Sequence, residues 1–253
     1  MKLMRMLFPC GLALVLILSG CGAPGLARSV PAASPTPVDT VGCRNAYYPV
    51  ATGASWSYAS RNGSQPGDDL FTRTIDAATS SDFTVTDRHA AGGMWMVKWL
   101  CHAGNLTALD PGAGRASLTT SNAAQSGADV TADGYVVPAT FAGASPWSQK
   151  LTLQSPVQSN GKSVASSRID ATLQCSLGAA ASISVPAGTF QAVSAACTKT
   201  VIVSAVAPGG TVQLGATQQS ITYWYARGVG LVKSVATGGP ANETLLLTSY
   251  HIP

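Results

Sequence analysis

From Tyr47 onward the chain is written in short runs whose apolar residues recur at every second position. That period matches an extended strand with one buried face, not the 3.6-residue period of a helix. Gly53 to Tyr58 opens the pattern, Arg61-Asn62-Gly63 forms a turn, and runs follow at Leu70 to Ile75, Asp82 to Asp87 and Met94 to Cys101. In the last run Trp95, Val97 and Trp99 share one face. Asp110 to Gly134 is mostly small and polar and reads as an irregular connection of unusual length. Alternation resumes at Tyr135 to Val137, Gln149 to Leu153, Ser167 to Cys175, Ala181 to Val185 and Phe190 to Val206. After the Pro208-Gly209-Gly210 turn come Thr211 to Ala226, Gly228 to Val235 and Glu243 to Tyr250. Turn signals recur every ~8 to 15 residues with no helical crossover between them, which predicts antiparallel meanders. The expected fold is all-β and mainly antiparallel: one domain over residues 43–253, a curved sheet, open barrel or sandwich of roughly 10–13 strands.

The first 42 residues follow other rules. Lys2 and Arg5 precede an apolar run from about Leu7 that ends in Leu18-Ser19-Gly20-Cys21. A basic tip, an apolar core and small residues before a cysteine form a bacterial lipoprotein signal, so residues 1–20 are expected to be removed. Cys21 then carries diacylglycerol as a thioether, with a further acyl chain such as palmitate on the freed amine. Two such chains suffice for stable anchoring. An uncleaved span would need about 20 apolar residues, and this run is shorter and holds Pro9. Residues 21–42 contain four prolines and no periodic pattern, so they read as a flexible tether. The expected location is the extracytoplasmic side of the cell envelope. Gly22 in place of an acid after Cys21 points to the outer membrane in a two-membraned cell.

Composition supports the β assignment: Glu243 is the single glutamate among 11 acidic residues, and Ser, Thr, Ala, Gly and Val take the places of helix-forming surface residues. Loss of Lys2 and Arg5 lowers the net charge of +4 to +2. The remaining basic residues are scattered from Arg28 to Lys233, so no nucleic-acid partner is expected. Once Cys10 is removed and Cys21 acylated, Cys43, Cys101, Cys175 and Cys197 remain in a compartment that permits disulfides. Four cysteines allow three pairings. Cys43 with Cys101 and Cys175 with Cys197 is favoured, the second because Cys175 and Cys197 each continue the apolar face of a strand. No CxxC spacing or histidine pattern supports a metal site, and no cofactor motif is present.

Three stretches carry a resemblance. They are Tyr47-Tyr48-Pro49 with Gly53, Trp56 and Tyr58; Val185-Pro186-Ala187-Gly188-Thr189-Phe190; and Trp224-Tyr225-Ala226-Arg227-Gly228-Val229-Gly230-Leu231-Val232-Lys233. In this order they resemble a group of bacterial lipoproteins of unassigned function, over most of residues 43 to 250. That group is similar in layout to the half-barrel sheets of lipoprotein carriers, although the amphipathic helices that close those sheets have no counterpart here. The resemblance brings no catalytic residues. Physically, Pro186 and Gly188 suit a hairpin with Val185 and Phe190 packing beside it. Gly228 and Gly230 suit a bulge or positive φ, Trp56, Trp224, Val229 and Leu231 suit burial, and Arg227 suits an aromatic ring or an anion.

Chemistry is sparse. The chain lacks a GxSxG elbow, an HExxH pair and a clustered acid pair, and Gly161-Lys162-Ser163 lacks the earlier glycine of a phosphate loop. His89, His102 and His251 read as strand-end or surface residues, and Asp68, Asp69 and Asp110 as loop residues able at most to bind calcium weakly. The expectation is a non-catalytic envelope domain that binds an apolar or glycan-like ligand or serves as a scaffold. The alternatives are a lipid or lipoprotein carrier with an apolar cavity and, third, a hydrolase of unrecognised type.

Overall fold

A computed structural model describes residues 41–62, 67–110, 129–144, 146–159, 162–239 and 242–253. Residues 1–20, Cys21 and the tether as far as residue 40 lie outside the described residues. Among those described there is one short 3-10 turn, Val41–Cys43, and twelve strands: β1 Ser55–Asn62, β2 Asp68–Ala78, β3 Asp82–His89, β4 Met94–His102, β5 Asn105–Ala108, β6 Asp129–Gly134, β7 Trp147–Ser159, β8 Lys162–Val185, β9 Gly188–Ala207, β10 Gly210–Ala226, β11 Gly230–Thr237 and β12 Glu243–His251. All strand pairs are antiparallel and lie in one sheet of order β5-β4-β3-β2-β1-β12-β11-β10-β9-β8-β7-β6. Every neighbour in that order is also a neighbour along the chain, except β1 and β12. Their pairing, from Ser55 opposite His251 to Asn62 opposite Glu243, turns a plain meander into a ring.

The ring nearly closes. Its free edges, β5 and β6, face each other through a bridge between Leu106 and Val137. Val136 N–H donates to Leu106 O at 2.8 Å, and Thr107 Oγ1 donates to Gly134 O at 2.6 Å. The fold is therefore a single, nearly closed all-β barrel rather than a sandwich. Twelve strands place it between eight-stranded barrels, whose interior is filled or holds one small ligand, and the wide aqueous channels of sixteen or more.

The strands differ from the sequence reading in four places. Residues 129–134, expected to be irregular, form β6, and Tyr135 to Val137 contribute only the bridge. β5 is a strand that no alternating run in the sequence marks. The stretches 167–175 and 181–185 belong to one strand, β8, whose register against β9 shifts between Leu177 and Ala180. Such a bulge resets which residues face inward, so the period breaks without the strand ending. Asp68 and Asp69 are not in a loop: they begin β2, where Asp68 pairs with Arg61 and Asp69 with His89.

One end of the barrel is plugged. Tyr48 packs between Trp99, Trp56 and Phe83, with ring centroids 5.3, 5.6 and 5.9 Å away. Phe141 meets Tyr47, Tyr225 and Trp147 at 4.9, 5.5 and 5.7 Å. Asn45 Nδ2 ties the plug together by donating to Gly104 O and Pro138 O at 2.9 and 2.8 Å. Covalently, Cys43 is joined to Cys101 on β4.

Candidate functional site: the barrel lumen

The three stretches that carry the resemblance converge on the plugged end. Trp56, 2% exposed, donates its indole N–H to Val229 O at 2.5 Å, and Tyr58 Oη donates to Leu231 O at 2.9 Å. Gly230 has φ +109° and its Cα faces the Trp56 indole, so a Cβ there would sit 3.3 Å from Nε1. Gly228, at φ +72°, donates its N–H to Ala46 O. Pro186 and Ala187 form the two-residue turn between β8 and β9, and Ala187 N–H reaches Leu247 O on β12 at 3.1 Å. Gly188 follows at φ +135° and Phe190 packs edge-on against Tyr250. Trp224 points to the outer face, where the Lys233 ammonium lies 5.1 Å from its ring centroid. Arg227 is exposed in the turn between β10 and β11. Cys175 is disulfide-bonded to Cys197, directly opposite on β9. Apart from the exposed Arg227, these residues join strands to one another or to the plug, and of the three stretches only Tyr48, Tyr225 and Leu231 line the cavity described next.

Beyond the plug the lumen contains a cavity of about 150 Å3. Register explains who lines it. Trp56, Tyr58 and Ser60 face inward on β1, opposite Arg73, Phe71 and Asp69 on β2, and of the three on β1 only Ser60 reaches the cavity. Arg73 and Phe71 in turn lie opposite Asp87 and His89 on β3, and Asp87 lies opposite Trp95 on β4. Across the barrel Gln149 and Leu151 of β7, Leu173 of β8, Lys199 of β9, Tyr223 and Tyr225 of β10, and Glu243 and Leu245 of β12 complete the wall.

The wall is more polar than a packed core. Arg73 holds Asp87 by a two-pronged ion pair, Nε to Oδ1 at 2.8 Å and Nη2 to Oδ2 at 2.7 Å. Burial works against the guanidinium charge, but Asp87 overrides it and Arg73 stays a fixed cation. His89 Nδ1 lies 2.7 Å from Asp69 Oδ2, and the imidazole stacks on Phe71 and meets the Trp95 ring edge-on at 4.0 Å. Ser60 Oγ donates to Glu243 Oε1 at 2.5 Å, and Gln149 Nε2 donates across the seam to Ala108 O. Lys199 is half-buried and makes no hydrogen bond or ion pair among the described residues; burial pulls its ammonium below the usual lysine range, while Asp110 and Glu243 act through the field to hold it up. Burial also pushes the Tyr48 and Tyr223 phenols up to about 12. The Tyr48 hydroxyl is buried and has no hydrogen-bond partner among the described residues.

Of the three histidines, His89 alone lines the lumen; His102 and His251 are exposed at strand ends. No group of three or more His, Cys, Asp or Glu is placed to hold a metal ion among the described residues. Sequence reasoning missed Arg73, Asp87, Lys199 and Glu243 as lumen residues. The available signal was phase, since Phe71-x-Arg73-x-Ile75 and Val85-x-Asp87-x-His89 put charge on the same face as the buried residues.

Two solved structures are similar to this chain. A protein of Bacteroides fragilis, inferred to be exported and having a YmcC-like fold, superposes with a TM-score of 0.50 at 14% identity, over 83% of this chain and 100% of its own. A protein of Parabacteroides distasonis, inferred to be a lipoprotein, gives a TM-score of 0.49 at 14% identity, over 82% of this chain and 99% of its own. At this identity the likeness shows the fold alone. No family model and no curated protein matches the chain.

Proposed function

We propose that this is a membrane-anchored, extracytoplasmic binding protein that performs no catalysis and holds a small ligand in the barrel lumen. The observation that carries the reading is the 150 Å3 cavity, walled by aromatic rings and charged groups brought in from six strands. A core needs no such groups, because buried charge is costly unless it serves a partner. The signal ending at Cys21 supports the location, and a protein with the same fold that is inferred to be exported is in keeping with it. A cavity of this size accommodates a molecule about as large as benzene, and it falls below the ~300 Å3 at which pockets for larger ligands begin. The carrier alternative is weakened on the same ground, since an acyl chain would also lie against the Arg73–Asp87 and His89–Asp69 pairs. Calorimetric titration with benzyl alcohol tests the reading: saturable binding in the native protein and its loss in Ala171→Trp, which fills the cavity, are expected. Equal heats in both proteins would refute lumen binding.

A hydrolytic reading keeps one observation in its favour: Asp69, His89 and Ser60 line the same cavity. Against it, Ser60 donates to Glu243, and no hydrogen bond joins it to His89. Labelling of the native protein by a fluorophosphonate, absent in Ser60→Ala, would move the assignment to an enzyme.

A further inference from the structure

Two charged groups of the lumen stand apart from the rest. Arg73 and Asp87 neutralise each other at hydrogen-bond distance, and Asp69 engages His89. Lys199 has no such partner among the described residues, and Glu243 accepts one hydrogen bond, from the neutral Ser60 hydroxyl. Both side chains line the same cavity, on β9 and β12, and they are further apart than an ion pair. Glu243 acts on Lys199 through the field without contact.

An ammonium and a carboxylate held apart across a small cavity leave two opposite charges incompletely satisfied, and a ligand that satisfies only one of them meets the other as a like charge. A simple anion seated on Lys199 faces Glu243 and Asp110. A simple cation seated on Glu243 faces Lys199. A molecule bearing both charges pairs with both groups and leaves the net charge of the lumen unchanged. Its carbon body has Trp95 and Tyr223 to lie against.

We propose that the lumen binds a small zwitterion of the amino-acid type, its carboxylate on Lys199 and its ammonium on Glu243. The volume of about 150 Å3 limits such a molecule to roughly the bulk of benzene, a handful of non-hydrogen atoms. This inference rests on the lumen being a ligand site.

The test is calorimetric titration of the intact protein with glycine, β-alanine, 4-aminobutyrate and 6-aminohexanoate, a series that measures the gap with a molecular ruler. Butyrate and butylamine serve as single-charge comparators and benzyl alcohol as an uncharged probe of the cavity. The expected result is an affinity optimum at one chain length, with both comparators about tenfold weaker or more, the loss of one charge-assisted hydrogen bond. Lys199→Met should bind the best zwitterion no more tightly than butylamine, and Glu243→Gln no more tightly than butyrate. Butyrate or butylamine binding as tightly as every zwitterion overturns the proposal. So does benzyl alcohol binding with no heat from any zwitterion, which leaves the lumen site standing. Silence from benzyl alcohol and zwitterions alike brings down both.

Discussion

Arg73 shows how far a single residue can depart from the expected interior of a barrel. Its side chain is 10% exposed and that of Asp87 17%, and each is the other's ion-pair partner. Removing one member of such a pair strands the other charge, which costs about 3–5 kcal/mol. Arg73→Met should therefore lower the unfolding free energy by about that amount in urea titrations, and adding Asp87→Leu should recover most of the loss, because no charge is then left buried. The tyrosines make a second prediction. Burial raises Tyr48 and Tyr223 to about 12, and pushes Tyr58 and Tyr225 upward as well. Below pH 10.0, the ordinary phenol value, folded and unfolded states are both protonated and these groups leave stability unaffected. Above it the unfolded chain releases protons that the folded chain retains, so stability falls as pH rises from 10 towards 12. Tyrosinate absorbance should rise in two phases, the buried group ionising late or together with unfolding. A single phase centred on the ordinary phenol value would contradict this burial.

At the scale of elements, the ring has one weak joint. β1 and β12 are paired along their full length, whereas β5 has four residues and meets the β6 side through the Leu106–Val137 bridge and the Thr107 and Gln149 hydrogen bonds. Regions held by few backbone bonds open at lower free energy. Amide hydrogen exchange should therefore be fastest among the ladder strands in β5 and β6 and slowest in β1 and β12; the reverse order would mean that the barrel opens elsewhere. The same elements mark what was legible beforehand. Strands with large residues at every second position, such as β4 with Trp95, Val97 and Trp99, announce themselves. β6 reads Asp-Val-Thr-Ala-Asp-Gly, with little apolar content, and it is a strand because β7 lies beside it. β8 reads as two strands because Gly178 sits in its bulge, where alternation lapses. Which strands pair across the ring, and hence the lumen itself, could not be read, since β1 and β12 are joined by contacts nearly 200 residues apart, as Trp56 is to Tyr250.

For the whole molecule, two disulfide bonds contribute to stability at different places in the barrel. The Cys43–Cys101 bond spans 58 residues and fastens the plug, and the Cys175–Cys197 bond spans 22 within one strand pair. By loop-closure entropy these constrain the unfolded chain by about 4 and about 3 kcal/mol. Cys43→Ala with Cys101→Ala should lower the midpoint of chemical unfolding by an amount matching the larger figure while leaving the lumen wall intact. No helix among the described residues is long and apolar enough to cross a membrane, so on the proposed reading attachment falls to Cys21, and Cys21→Ala should release the protein from the membrane fraction with its binding unchanged. The most direct measurement is an NMR titration of the tryptophan indole N–H resonances with benzyl alcohol. Trp95 and Trp99 line the lumen and Trp224 faces outward, so the molecule carries its own control. The expected result is saturable movement of the Trp95 and Trp99 signals with Trp224 still. Movement of Trp224 alone, or of none, would contradict a ligand site inside the barrel.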